Sequence, residues 1–210
     1  MRLEVGIIAL VEEVLGVPAE RRAQFDWLIN KPLSEHFGPH HTKIINLFKQ
    51  MGGDIDGLFA KVVGHLTPDA YFPDPYHFIF EFDELQHFTA FRHQTLMAYP
   101  ANHPLGFEPK TYLEFCAKYK DAALQKGTDR FRRKTADFPF VNGRAAQRAL
   151  FDTFRDWLPP LHGLRPTVRL AEFEVADVLN EHLTGEAAKE RMGFLLHQRL
   201  GSDESKDNST

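Results

Sequence analysis

The sequence predicts a mixed α/β or α+β domain in which helices flank a small sheet. Three observations carry that expectation: apolar residues recur at helical spacing in most segments, the stretch 59–83 and the segment 166–175 are instead rich in β-branched and aromatic residues, and the order of elements is helices, hairpin strands, helices, strand, helix. A chain of 210 residues supports one full core. A single domain over 1–200 is expected, with a helical part at 1–52, a hairpin at 53–90, and helices with one further strand at 91–200.

Leu3, Ile7, Leu10, Val11, Val14 and Leu15 lay one apolar stripe on a first helix that Pro18 ends. A second helix is expected from Ala19 to about Ile29, and a third from His40 to Met51, stopped by Gly52-Gly53. KVVGHL, DAYF and YHFIFEFD then read as strands, punctuated at Pro73–Pro75. In the last of them Tyr76, Phe78, Phe80 and Phe82 share one face while His77, Ile79, Glu81 and Asp83 share the other. Helices follow at Phe88–Ala98 and at Pro109–Lys126, the latter closed by Gly127. Another runs from Asn142-Gly143 to Leu158, burying Ala146, Ala149, Leu150, Thr153, Phe154 and Trp157 before Pro159-Pro160. PTVRLAEFEV at 166–175 reads as a strand with Arg165 and Arg169 exposed, and 185–200 as the final helix. The polar segment 201–210 is expected to be a disordered tail.

The composition is that of an ordinary globular chain, 43% hydrophobic and 26% charged, with 19 Phe for an aromatic core. No run approaches the roughly 20 apolar residues of a membrane span, and the N-terminus lacks the pattern of a secretory leader. A cytoplasmic protein with no membrane partner is expected. The single Cys116 excludes an internal disulfide and a cysteine-based zinc site. A net charge of -4 excludes coating of nucleic acid by bulk electrostatics, but leaves room for a local basic patch.

The informative stretch is TPDAYFPDPYHFIFEFDELQHF, residues 67–88. A hairpin turning near Pro73–Pro75 sets Asp69 beside Glu81, with Asp83 on the same face two residues on. Carboxylates crowded in this way favour a cation between them, or one proton shared among them. Mg²⁺ or Mn²⁺ held by hard oxygens is the usual means of hydrolysing a phosphodiester.

Pro68-Asp69, a short hairpin, Glu81-Phe82-Asp83 and then Gln86-His87-Phe88 resemble the pattern of PD-(D/E)XK nucleases. The branch most similar is that of the very-short-patch-repair endonucleases. The resemblance covers about residues 35–90 and implies a restriction-endonuclease-like core with an extra helical N-terminal segment. It further implies a Mg²⁺ or Mn²⁺ cofactor ligated by Asp69 and Glu81, a nucleic-acid substrate expected to be DNA, and a homodimer as the oligomer that many such nucleases form. Asp83 stands where the family commonly has Lys, and Glu84 where it often has Gly. Gln86 is then the candidate for the lysine's positioning role, and His87 for contact with phosphate or for proton transfer.

An acidic residue on an upstream helix often completes such sites. Glu35 is the candidate, against its reading as a helix-start carboxylate. Arg130, Arg132, Arg133 and Lys134 are candidates for nucleic-acid contact, against a solvated basic face. Arg144, Arg148 and Arg155 lie on the next helix, with Arg148 and Asp152 at salt-bridge spacing. Eleven histidines include no HExxH or comparable set. The expected function is a divalent-metal-dependent nuclease; the alternative is an inactive nuclease-like module that binds nucleic acid or a protein.

Overall fold

In the computed structural model, which describes residues 3–201, the aromatic-rich runs form β1 (Ala70–Phe72), β2 (Phe78–Asp83) and β3 (Val168–Ala171). Their order is β1-β2-β3, antiparallel between the first pair and parallel between the second. The parallel pairing requires a long crossover, because β3 must begin at the same end as β2. Residues 84–167 supply it.

The helices are α1 (Leu3–Leu15), α2 (Ser34–Phe37), α3 (His41–Gln50), α4 (Ile55–Ala60), α5 (Ala90–Met97), α6 (Pro109–Arg132), α7 (Gly143–Leu161), α8 (Ala176–Leu179) and α9 (Gly185–Leu200). The alternation of β2 decides how they layer. Phe78, Phe80 and Phe82 pack with Ile7, Ile8 and Val11 of α1 and with Met192, Leu195 and Leu196 of α9. On the opposite face Ile79 joins α3 and α7 through Leu47, Phe48, Leu150 and Phe154. Each fully buried Phe contributes about 1.5–3 kcal/mol, so a one-residue slip of β2 would exchange that apolar face for one bearing two carboxylates. The register is therefore strongly specified, with Ala70 opposite Phe80 and Arg169 beside Glu81.

The predicted stripe of α7 is buried throughout, and Cys116 of α6 is buried as expected. Thr128 breaks the helical geometry of α6, one residue after Gly127, where the Phe131 ring fills the space a Cβ would take. Four expectations are corrected. Residues 19–29 form no helix, because their backbone is paired elsewhere: Glu20 exchanges hydrogen bonds with Tyr71 (2.8 and 2.9 Å), and Leu66 N–H donates to the Leu28 carbonyl (2.8 Å). KVVGHL is not a strand. Phe59 and Ala60 end α4, Val62 is 88% exposed, and only His65 bridges to Ile29. The run expected as one strand to 175 turns after Ala171, whose N–H donates to the Glu174 carboxylate at 2.9 Å, and 172–175 form a 3-10 turn.

The fourth correction concerns Pro159 and Pro160, which lie inside the last turn of α7. Each proline removes the N–H that its i−4 carbonyl would accept. Thr167 Oγ1 donates instead to the Arg155 carbonyl at 2.5 Å, and His103 Nε2 to that of Asp156 at 3.0 Å. Residues 202–210, which hold most of the expected tail, lie outside the described residues. No helix among the described residues is long and apolar enough to cross a membrane.

Candidate active site

Extending the β1–β2 register by one position sets Asp69 opposite Glu81. The backbone locks the pair: Asp69 N–H donates to Glu81 Oε1 at 3.3 Å, and Phe82 N–H donates to Asp69 Oδ2 at 2.9 Å. Asp69 Oδ1 and Glu81 Oε2 accept no hydrogen bond among the described residues, and both side chains line one cavity of about 190 Å³.

Helix α7 forms another wall. Arg144, Arg148, Phe151 and Arg155, at spacings of three and four, form a stripe beside its apolar face and line the cavity together with Arg130 and His87. Arg155 Nε lies 3.1 Å from Glu81 Oε1, while its Nη2 donates to the Thr67 carbonyl. Burial pushes the Glu81 carboxyl up to about 8; Arg155 opposes that rise and Asp69 adds to it. Burial raises Asp69 as well.

Asp83 leaves the same face of β2 but belongs to different surroundings. Both its oxygens accept from Arg169 Nη1 at 2.9 Å, and His87 Nδ1 stands 2.7 Å away. Arg169, expected to be exposed, is wholly buried. Its Nε donates to Asp156 at 2.6 Å, and Asp156 in turn pairs with Arg92 at 2.8 Å. Asp152 lies within ion-pair distance of His87 and Arg169. Burial alone would raise Asp83 and Asp152, but Arg169 and His87 outweigh it and hold both carboxyls well below their usual range. His87 is raised: burial and Arg148 favour its neutral form, and Asp83 and Asp152 prevail over them.

The model of the family of unknown function DUF7255 matches residues 46–181, a span that contains both carboxylates, β3 and the arginine stripe. The chain belongs to this family. No curated protein and no solved structure matches it.

In this DUF7255 chain the structure brings together Asp69, Glu81, His87 and Arg130, but not every residue that the sequence proposed. Asp83 faces Arg169 rather than the cavity. Gln86 lines an adjoining basin with Glu84, to which its Nε2 donates at 2.5 Å. Glu35 is exposed on α2 and lines neither basin, and Arg132, Arg133 and Lys134 are exposed away from both. Arg148 reaches His87 instead of Asp152. Sequence reasoning missed Asp152, Asp156, Arg92 and Arg169. The available signal was an arginine within a β-rich run, in a chain whose other candidate strand carried two inward carboxylates.

No cluster of three or more His, Cys, Asp or Glu suited to hold an ion occurs among the described residues. Two hard carboxylates on an open, arginine-lined cavity fit Mg²⁺ or Mn²⁺, which keep several water ligands and take others from a substrate phosphate.

Proposed function

We propose that this DUF7255 chain is a divalent-metal-dependent nuclease that hydrolyses phosphodiester bonds of DNA, built on a restriction-endonuclease-like core. The observation that supports it best is the locked Asp69–Glu81 pair at the floor of an arginine-lined cavity. These two residues would hold Mg²⁺ or Mn²⁺, which when bound would polarise the phosphate and supply an activated water. The residues around them perform the electrostatic work. Arg130, Arg144 and Arg148 take up the charge of the phosphate, and Arg155, beside Glu81, supplies the cation that the motif's lysine provides in related nucleases. His87, fixed through Nδ1 by Asp83, directs Nε2 toward Arg148 and the cavity.

A second reading, an inactive nuclease-like module that binds nucleic acid, is favoured by one observation: Arg155 already partners Glu81 where a metal would bind. Cleavage of duplex, branched and single-stranded DNA with Mg²⁺ or Mn²⁺ separates the two. The wild-type chain is expected to cut at least one substrate, and Asp69→Ala and Glu81→Ala to lose about 10²-fold or more while staying folded. DNA binding without metal-supported cleavage on any substrate would establish the second reading.

A further inference from the structure

Arg130, Arg144 and Arg148 have no carboxylate within ion-pair distance among the described residues, yet all three line the same small cavity. Arg144 and Arg148 are held in place in advance. Lys61 and Gln147 both donate to Asp137, Gln147 Oε1 accepts from Arg144 Nη1, and the Arg148 guanidinium lies 5.8 Å over the Phe131 ring. Burial, with Arg148 and Arg130 close by, pushes Arg144 below its ordinary value. The cavity also carries Asp69, Glu81 and Asp152, but Arg155 and the buried network engage Glu81 and Asp152. Three guanidinium groups without an ion pair of their own therefore converge on one space and favour an anion between them.

The cavity, of about 190 Å³ and open on one side, has room for a phosphate group. It opens through Asp69, His87, Arg130 and Arg148 into a second basin whose further wall carries Glu4 and Glu84. Arg144 lines the first cavity alone, while Arg130 and Arg148 border both. The cavity sets four arginines against Asp69, Glu81 and Asp152. The three arginines without an ion pair of their own suit the higher charge of a phosphomonoester, about -1.5 to -2 at neutral pH, as well as they suit the single charge of a diester.

We infer that Arg130, Arg144 and Arg148 form a metal-independent pocket for the phosphomonoester at the end of a nucleic-acid strand. Phosphate is the chemistry recognised; that it belongs to a strand rests on the nuclease reading.

The test is fluorescence anisotropy in EDTA with the full chain and internally labelled single strands that differ only in their ends: 5′-phosphate, 3′-phosphate or hydroxyl. One phosphorylated form is expected to bind about tenfold more tightly than the hydroxyl form. Arg144→Gln and the exposed Arg130→Gln should each remove most of that preference, and inorganic phosphate should compete. Equal affinity for all three strands overturns the proposal, as does a preference that survives in Arg130→Gln, whose folding is not at risk. Binding of inorganic phosphate alone, with no discrimination among strands, overturns the strand-end assignment. Metal-supported cleavage without an end preference leaves the nuclease standing and this pocket refuted. An end preference without cleavage does the reverse.

Discussion

Glu81 and Asp83 leave β2 on the same face with one residue between them, yet one opens onto a cavity and the other is sealed in a charge network. Around Asp83 the network holds Arg92, Arg169 and His87 against Asp83, Asp152 and Asp156. Around Glu81 the arginines outnumber the acids, and three of them have no carboxylate partner among the described residues. Buried charge survives only when matched and hydrogen-bonded, so the sealed region must be balanced. The open region is relieved of that condition by solvent or ligand. Imbalance on a face otherwise built with matched charges is therefore the physical mark of the candidate site.

The largest effect that tests this contrast is on stability. Arg169→Met strands Asp83 and Asp156 without their shared cation and is expected to cost about 3–5 kcal/mol. Arg144→Met, at the cavity, leaves no buried charge unpaired and should cost no more than about 1 kcal/mol. Urea denaturation of the two variants provides the comparison. Similar losses in both would mean that the cavity arginines are as structural as the network, and the distinction would fail.

A smaller effect concerns pH and the residues behind Arg144. Asp137 is held below its ordinary value: burial pushes it up, but hydrogen bonds from Lys61 and Gln147 outweigh that. A carboxylate depressed in the folded state contributes stability that is complete above the unfolded value, near 3.9, and is lost as pH falls through the folded one. The advantage of wild type over Asp137→Asn is expected to be about 1–2 kcal/mol from pH 7 to about pH 5, and to shrink below about pH 4. A difference that stays level down to pH 3 would show that shape rather than charge holds Gln147 and Arg144 in place. Should the pH dependence appear, Asp137→Asn should also weaken phosphate binding, because Arg144 loses its support.

What could be read from the sequence was what is local to one strand. Period-two alternation placed Glu81 and Asp83 on one face of β2 opposite the phenylalanines, and the Pro73–Pro75 turn brought Asp69 alongside. The partners that divide those carboxylates into two roles come from far along the chain. Arg155 and Asp152 arrive on α7, and Arg169 on a parallel strand whose four residues leave little periodicity to read. Residues 19–29 show the same limit, since a helical pattern there yields to backbone pairing with Tyr71 and His65. Proline misled at Pro159 for a related reason: the donors that rescue α7, Thr167 and His103, are both supplied by distant segments.

The smallest expected effect is at Glu35. The sequence offered it as a third metal ligand because an upstream acid often completes such a pair. The structure exposes it in the first turn of the four-residue α2, outside both the cavity and the adjoining basin. Nothing buried depends on its charge. Glu35→Gln is therefore expected to leave metal-supported cleavage within about twofold of wild type and stability within about 0.5 kcal/mol. A loss approaching that of Asp69→Ala would require α2 to close over the cavity when metal and substrate bind. The open side of the charge contrast would then be a resting state, completed by an acid that now stands in solvent.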